Sequence, residues 1–221
     1  MSDVSTLDRD PGEREKRPRG VVFWCGVLLI VVGLGLLGYV GWQMFGTNVV
    51  SRHEAGQIRE RTERAWERGE EGPSRALLHV PRFGASYSVP IVQGFTDDNL
   101  AKGVARYTDG AKAGGLGNYV LAGHRVTHGE PFSKFPDLRK GDLVEVETRT
   151  ATYTYRLRNS GTDTIVDFTT AWPLWPVPSP SAKGAAPTQH LITLLTCSEL
   201  FHTDDRSVVV GDLVKTRKVD R

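Results

Sequence analysis

From Val21 through Trp42 the chain carries no charged side chain. About 22 helical residues at 1.5 Å rise cover roughly 30 Å, the thickness of a bilayer's hydrocarbon core, so the run predicts a transmembrane helix over residues 21–45. It exceeds the short apolar region of a cleaved signal peptide, and Gln43-Met44-Phe45 follows it with no small-residue cleavage pattern. Residues 1–20 are rich in Asp, Glu, Arg, Pro and Gly and nearly devoid of apolar side chains. Such a segment cannot bury enough surface to offset the entropy of ordering and reads as a disordered tail.

Polar and apolar positions then fall into a third texture. Over residues 46–75 the chain is strongly charged, with Glu60 and Arg64 four apart and Ala55, Ile58, Ala65 and Trp66 as scattered apolar positions. This predicts a helical stalk with most of its surface in water. Beyond Gly72-Pro73, short β-rich runs are separated by Gly, Pro and Asp, the texture of a barrel or sandwich. Strands are expected at Ala76–Arg82, Val89–Gln93, Asn118–Gly123, Leu143–Glu147, Thr152–Arg158, Thr164–Val166, His190–Cys197 and Ser207–Thr216, where residues suited to a pleated surface cluster. Short helices are expected at Asp97–Tyr107, capped by Asp97 or Asp98, and at Phe132–Leu138. The segment Asp167–Gln189 is rich in Pro, Ser and Gly and contains Trp172 and Trp175; its length exceeds that of a plain connector and suits the wall of a substrate groove.

The full length of 221 residues permits one ordinary domain, residues 76–221, plus these appendages. A net charge of +2 recruits no polyanion, so no nucleic-acid partner is expected. Charge does change the picture at the ends of the apolar run. Arg14, Lys16, Arg17 and Arg19 precede it, which places the N-terminus in the cytoplasm and the later domain outside the cell. The arginines after the run do not reverse this, because long domains cross the membrane largely regardless of charge.

Candidate chemistry begins with the cysteines. Cys25 lies in the apolar run, leaving Cys197 without an intramolecular disulfide partner. A lone thiol in an exported domain is either a buried small hydrophobe or is kept for its reactivity. The polar run Ser198-Glu199 and Arg206 favour the second reading. His124 follows Ala122-Gly123 at the end of an expected strand, where glycine would let a substrate backbone approach the ring. His128, four residues on, does not make a zinc pair with it, since the glutamate of the metalloprotease helix motif and a third ligand are missing. His53, His79 and His190 fit surface or packing roles, and His202 is a second candidate base by its closeness to Cys197.

A thiol, an imidazole and a guanidinium suffice for acyl transfer. The runs Asn118-Tyr119-Val120-Leu121-Ala122-Gly123-His124-Arg125, Thr193-Leu194-Leu195-Thr196-Cys197 and Arg206-Ser207-Val208-Val209-Val210-Gly211 resemble the sortases of Gram-positive bacteria, most closely class E of high-GC actinobacteria. The resemblance implies a mainly β fold: an eight-stranded sortase-type barrel with short helices, preceded by the transmembrane helix. It implies Cys197 as nucleophile, His124 as general acid and base, and Arg206 as the cation that orients substrate and supports the oxyanion. Thr196, Leu195 and Ala122 match positions lining the groove for the sorting signal. The implied activity is cleavage of an LAxTG- or LPxTG-type signal between Thr and Gly through a thioacyl enzyme, resolved by the amine of a peptidoglycan precursor, lipid II. No metal or cofactor is implied. Neither an N-terminal lid motif nor a C-terminal anchor is evident in the sequence, which favours cell-wall anchoring over pilus assembly. The competing readings are a membrane-anchored binding domain with an inert cysteine, and a cysteine hydrolase of papain type, whose cysteine precedes its histidine in the chain.

Overall fold

A computed structural model describes residues 20–42, 46–197 and 204–219. The chain divides into two units, Met1–Gly41 and Trp42–Arg221. In the first, helix α1 spans Val21–Gly41 and buries none of its side chains; Trp24, Leu29 and Leu37 stand exposed. Its length and apolarity are those of a membrane-spanning helix.

The second unit is a closed barrel. Its strands are β1 (Ala76–His79), β2 (Ser88–Gln93), β3 (Val104–Arg106), β4 (Gly117–Ala122), β5 (Leu143–Thr148), β6 (Ala151–Leu157), β7 (Ile165–Asp167), β8 (His190–Cys197) and β9 (Asp205–Lys218). Eight of them form a ring in the order β6-β5-β1-β2-β3-β4-β8-β9, closed by pairing of β9 with β6. The long β9 makes closure possible: Gly211–Lys218 pairs with β6, while Asp205–Ser207 pairs along the same edge with β7. The eight-stranded barrel is thus as expected, with β7 as a short ninth strand on one rim.

The interior follows from the period of two along each strand. Leu78, Ile91, Tyr119, Leu121, Val144, Val146, Tyr155, Ile192, Leu194 and Val209 point inward and form one core with Phe83, Phe132 and Phe135. Alternate residues of β4, β8 and β9 face outward, and this outer face carries the cleft described below.

Several expected elements differ. The helix expected at Asp97–Tyr107 is a single turn, α3 (Asp97–Leu100), followed by strand β3. The turn is capped at its C-terminal end by Ala101, and Gly103, at φ +152°, leads into β3; an added Cβ at Gly103 would stand 2.5 Å from the Pro90 carbonyl oxygen. The N-terminal cap is Thr96, whose hydroxyl accepts from the Asn99 amide, and neither Asp97 nor Asp98. Around Phe132–Leu138 only a 3₁₀ turn forms, at Phe135–Asp137.

The charged segment 46–75 does form a helix, α2 (Thr47–Glu67), but it is not a solvated spacer. It packs against β2, and Asn48, Ser51, Thr62, Ala65 and Trp66 are buried. At its end the Thr62 hydroxyl accepts from the Ser74 amide, and the Ser74 hydroxyl lies 2.7 Å and 2.8 Å from the carbonyls of Ala76 and Ile91. The few apolar and small polar residues of α2 lie on one face, enough to seat it, while its arginines and glutamates occupy the others.

Candidate active site

Three neighbouring strands deliver the chemistry. In the parallel pair β4–β8, Ala122 stands opposite Leu195; in the antiparallel pair β8–β9, Cys197 stands opposite Arg206. Directly opposed residues share a face, and residues two apart on one strand do too. Ala122, Leu195, Cys197 and Arg206 therefore all project from the outer face of the barrel. Val166 of β7 pairs with Arg206 on its other side, so the arginine sits between two strands.

His124 lies two residues beyond Ala122, and the strand partner fixes its approach. The Gly123 amide donates to the Leu195 carbonyl at 3.1 Å, and the buried Thr196 hydroxyl donates to the Gly123 carbonyl at 2.8 Å. Glycine at 123 has a packing reason besides the expected one: it lines the cleft, and a Cβ there would lie 2.9 Å from the ring of the core residue Phe132.

The result is a cleft of about 360 Å³. All six residues singled out from the sequence line it: Cys197, His124, Arg206, Thr196, Leu195 and Ala122. Cys197, His124 and Arg206 are half-buried, reachable yet partly desolvated. Sequence reasoning missed its apolar walls, which include Phe95, Leu100, Val166, Phe168 and Leu174. Phe95 and Phe168 come from loops and the others from the one-turn helix α3, the three-residue strand β7 and a 3₁₀ turn, all too short for a period to mark which side faces inward.

The segment 167–189 does wall the cleft, through Phe168, Thr170, Pro173 and Leu174; neither Trp172 nor Trp175 lines it. It is pinned from beneath by Asn118, which is buried and donates to the Pro173 and Trp175 carbonyls at 2.8 and 2.9 Å. Asn118 in turn accepts from the Thr193 hydroxyl at 2.7 Å.

Electrostatics separate the two nitrogenous groups. The Arg206 guanidinium lies 6.0 Å from the centre of the Phe168 ring and donates to the Asp205 carbonyl at 3.0 Å. The Asp167 carboxyl is held below its ordinary range, first by the Thr169 hydroxyl and amide and further by Arg206. Burial pushes the His124 imidazole below its ordinary pKa, the neighbouring His128 adds to the shift, and Asp97 opposes it. The two imidazoles stack with centroids 4.8 Å apart and planes at 29°. Among the described residues no three His, Cys, Asp or Glu side chains gather as a metal cluster. His79 pairs with Glu147 and His190 meets the Gly114 carbonyl, both away from the cleft. His202, Ser198 and Glu199 lie outside the described residues.

A closed barrel with a thiol, an imidazole and a guanidinium in one outer-face cleft defines an architecture, that of the cysteine transpeptidase barrels. Residues 78–214 match the sortase domain model. The chain is 33% identical to sortase SrtE1 of Streptomyces coelicolor over 95% of its own length, and it spans 60% of the length of that relative. Sortase E of Streptomyces avermitilis superposes with a TM-score of 0.58 at 30% identity, over 66% of this chain and 90% of that one. Sortase E1 of Streptomyces coelicolor, solved with a tripeptide in its active site, gives 0.57 at 32% identity over the same shares. The chain belongs to the sortase family and is most like class E.

Proposed function

We propose that this chain is a cysteine transpeptidase that recognises an LAxTG- or LPxTG-type sorting signal and cleaves it between Thr and Gly. The observation carrying this reading is the shared cleft of Cys197, His124 and Arg206, with walls that include Phe95, Leu100, Phe168 and Leu174. The Cys197 thiolate attacks the threonine carbonyl carbon, forming the C–S bond and a tetrahedral oxyanion. Arg206 is the cation that orients the peptide and supports that oxyanion. Collapse breaks the Thr–Gly C–N bond as the His124 imidazolium donates its proton to the departing glycine amine.

His124, now neutral, can accept a proton from an incoming amine. That amine attacks the thioacyl carbonyl, releases Cys197 as thiolate and leaves a new amide bond. An amine of the peptidoglycan precursor lipid II is the acceptor that suits a cell-wall enzyme. Ala122, Leu195 and Thr196 line the groove for the signal. Helix α1 serves as the membrane anchor with the N-terminus cytoplasmic and the barrel outside, following the basic residues before it.

The test is mass spectrometry of the full chain with LAxTG and LPxTG peptides and a glycine or diaminopimelate amine. Cleavage with ligation is expected, and release of the free acid alone would indicate a hydrolase instead. Cys197→Ala should abolish both products while leaving the fold intact; turnover surviving in that variant would end the assignment.

A further inference from the structure

The loop after His124 is held from outside the barrel, by α2. It is closed at its neck by the Phe132 amide donating to the His124 carbonyl at 3.0 Å, and the Pro131 carbonyl accepts from the Tyr87 hydroxyl. Between these ends His128 and Glu130 both adopt φ +53°, the left-handed region that non-glycine residues avoid, with Gly129 at +84° between them. Three successive left-handed residues persist only where surrounding contacts over-determine them. Within the loop the Glu130 amide donates to the Thr127 carbonyl at 3.1 Å, and the side-chain contacts come from one helix. The buried Asn48 side chain accepts from the Gly129 amide at 3.0 Å and donates to the Glu130 carboxylate at 2.6 Å. Arg52, one turn later, donates to the Gly129 carbonyl at 3.2 Å and to Glu130 at 2.7 Å. Gly129 lies in contact with the helix, since a Cβ there would stand 3.4 Å from the Arg52 backbone nitrogen and the Ser51 side chain.

His128, the first of the strained residues, is the one stacked on His124. The geometry thus forms a chain of contacts from Asn48 and Arg52, through Gly129 and Glu130, to His128 and the His124 ring. We propose that Asn48 and Arg52 are positioning residues for the reaction: α2 clamps the 125–131 loop in its left-handed conformation and so sets the His124 ring in the cleft. The inference rests on the proposed role of His124. Neither clamp residue lines the cleft or touches the thiol.

The experiment uses the full chain in detergent and compares wild type, Asn48→Ala, Arg52→Ala and the paired exchange Asn48→Asp with Glu130→Gln. The exchange keeps an acceptor for the Gly129 amide, reverses the donor and acceptor between the two side chains, and leaves an oxygen for Arg52. Single-turnover formation of the thioacyl enzyme should fall about tenfold or more in Asn48→Ala and less in Arg52→Ala. Peptide affinity, read in a Cys197→Ala background, should stay within about twofold. Asn48→Asp alone sets two carboxylates together and should be as slow as Asn48→Ala, while the paired exchange should recover most of the rate. Unchanged acylation in Asn48→Ala, loss explained wholly by a smaller folded fraction on thermal melting, or no recovery in the paired exchange would overturn the proposal. His124→Ala is the separate control: if it acylates normally, the role of His124 fails, whatever the clamp does.

Discussion

At the scale of single residues, His124 presents an acidity problem that its neighbours define. In the proposed mechanism the productive state pairs a thiolate with an imidazolium, so any influence that lowers the proton affinity of His124 thins the productive population. Burial and His128 act in that direction and Asp97 against it. Removing the His128 contribution should raise the His124 pKa. His128→Asn is the suitable change, because asparagine tolerates the left-handed backbone that His128 adopts at φ +53°. In a profile of kcat/KM against pH, the limb set by His124 should move to higher pH, while the height of the profile also reports the loss of the ring stacked on His124. A limb that stays in place, or moves toward acid, would show that His128 does not perturb its neighbour's charge. This scale was also the most legible in the sequence. Cys197, His124 and Arg206 are residue types whose chemistry is specific, and Cys197 had no disulfide partner to explain it otherwise. Phe95, Phe168 and Leu174 escaped notice because an aromatic or aliphatic residue in a loop reads equally well as packing. Gly123 was noticed for the cleft it lines but not for the ring of Phe132 beside it, since a single sequence does not reveal that Phe132 folds back beneath it.

At the scale of elements, β-strands rich in residues suited to a pleated surface were recovered nearly to their ends, as at His190–Cys197. Failures came where local propensity and tertiary position disagree. The run Asp97–Tyr107 begins as a good helix start, yet Val104–Arg106 is claimed by pairing with β2 and β4. The loop 167–189 illustrates the converse: its composition suggests freedom, but Asn118 fastens it to the barrel. Asn118→Ala would strand the Pro173 and Trp175 carbonyls and the Thr193 hydroxyl without that partner, at about 1–3 kcal/mol for each group left unsatisfied. Because Pro173 and Leu174 line the cleft, the effect should reach substrate. Limited proteolysis should cut within 167–189 faster than in wild type. If the loosened wall forfeits about 1.4 kcal/mol of peptide contact, KM for the sorting-signal peptide should rise about tenfold. Faster cleavage with unchanged KM would mean that this wall does not contact the peptide.

At the scale of the whole molecule, α1 and α2 look alike in length and differ in what their side chains meet. Each spans 21 residues, yet Trp24 of α1 is 62% exposed and Trp66 of α2 is wholly enclosed. The sequence pattern concealed this, because α2 has too few apolar positions to announce a packed face, and its arginines dominate the composition. If α2 were a spacer, truncating Trp66 would leave the melting of the barrel unchanged. A buried tryptophan replaced by alanine instead loses about 3–5 kcal/mol through lost transfer energy and the cavity left behind. For a unit of this size that corresponds to a fall of about 6–20 °C in Tm. Calorimetry of Trp66→Ala should show that fall in the barrel transition, while Trp24→Ala should leave it in place. The pair of variants separates docking from general helix damage, since alanine is a better helix former than tryptophan at either site and would not by itself destabilise α2. Equal melting of Trp66→Ala and wild type would return α2 to the role of a solvated stalk. The hold of α2 on the histidine loop would then be confined to its first two turns, where Asn48 and Arg52 lie.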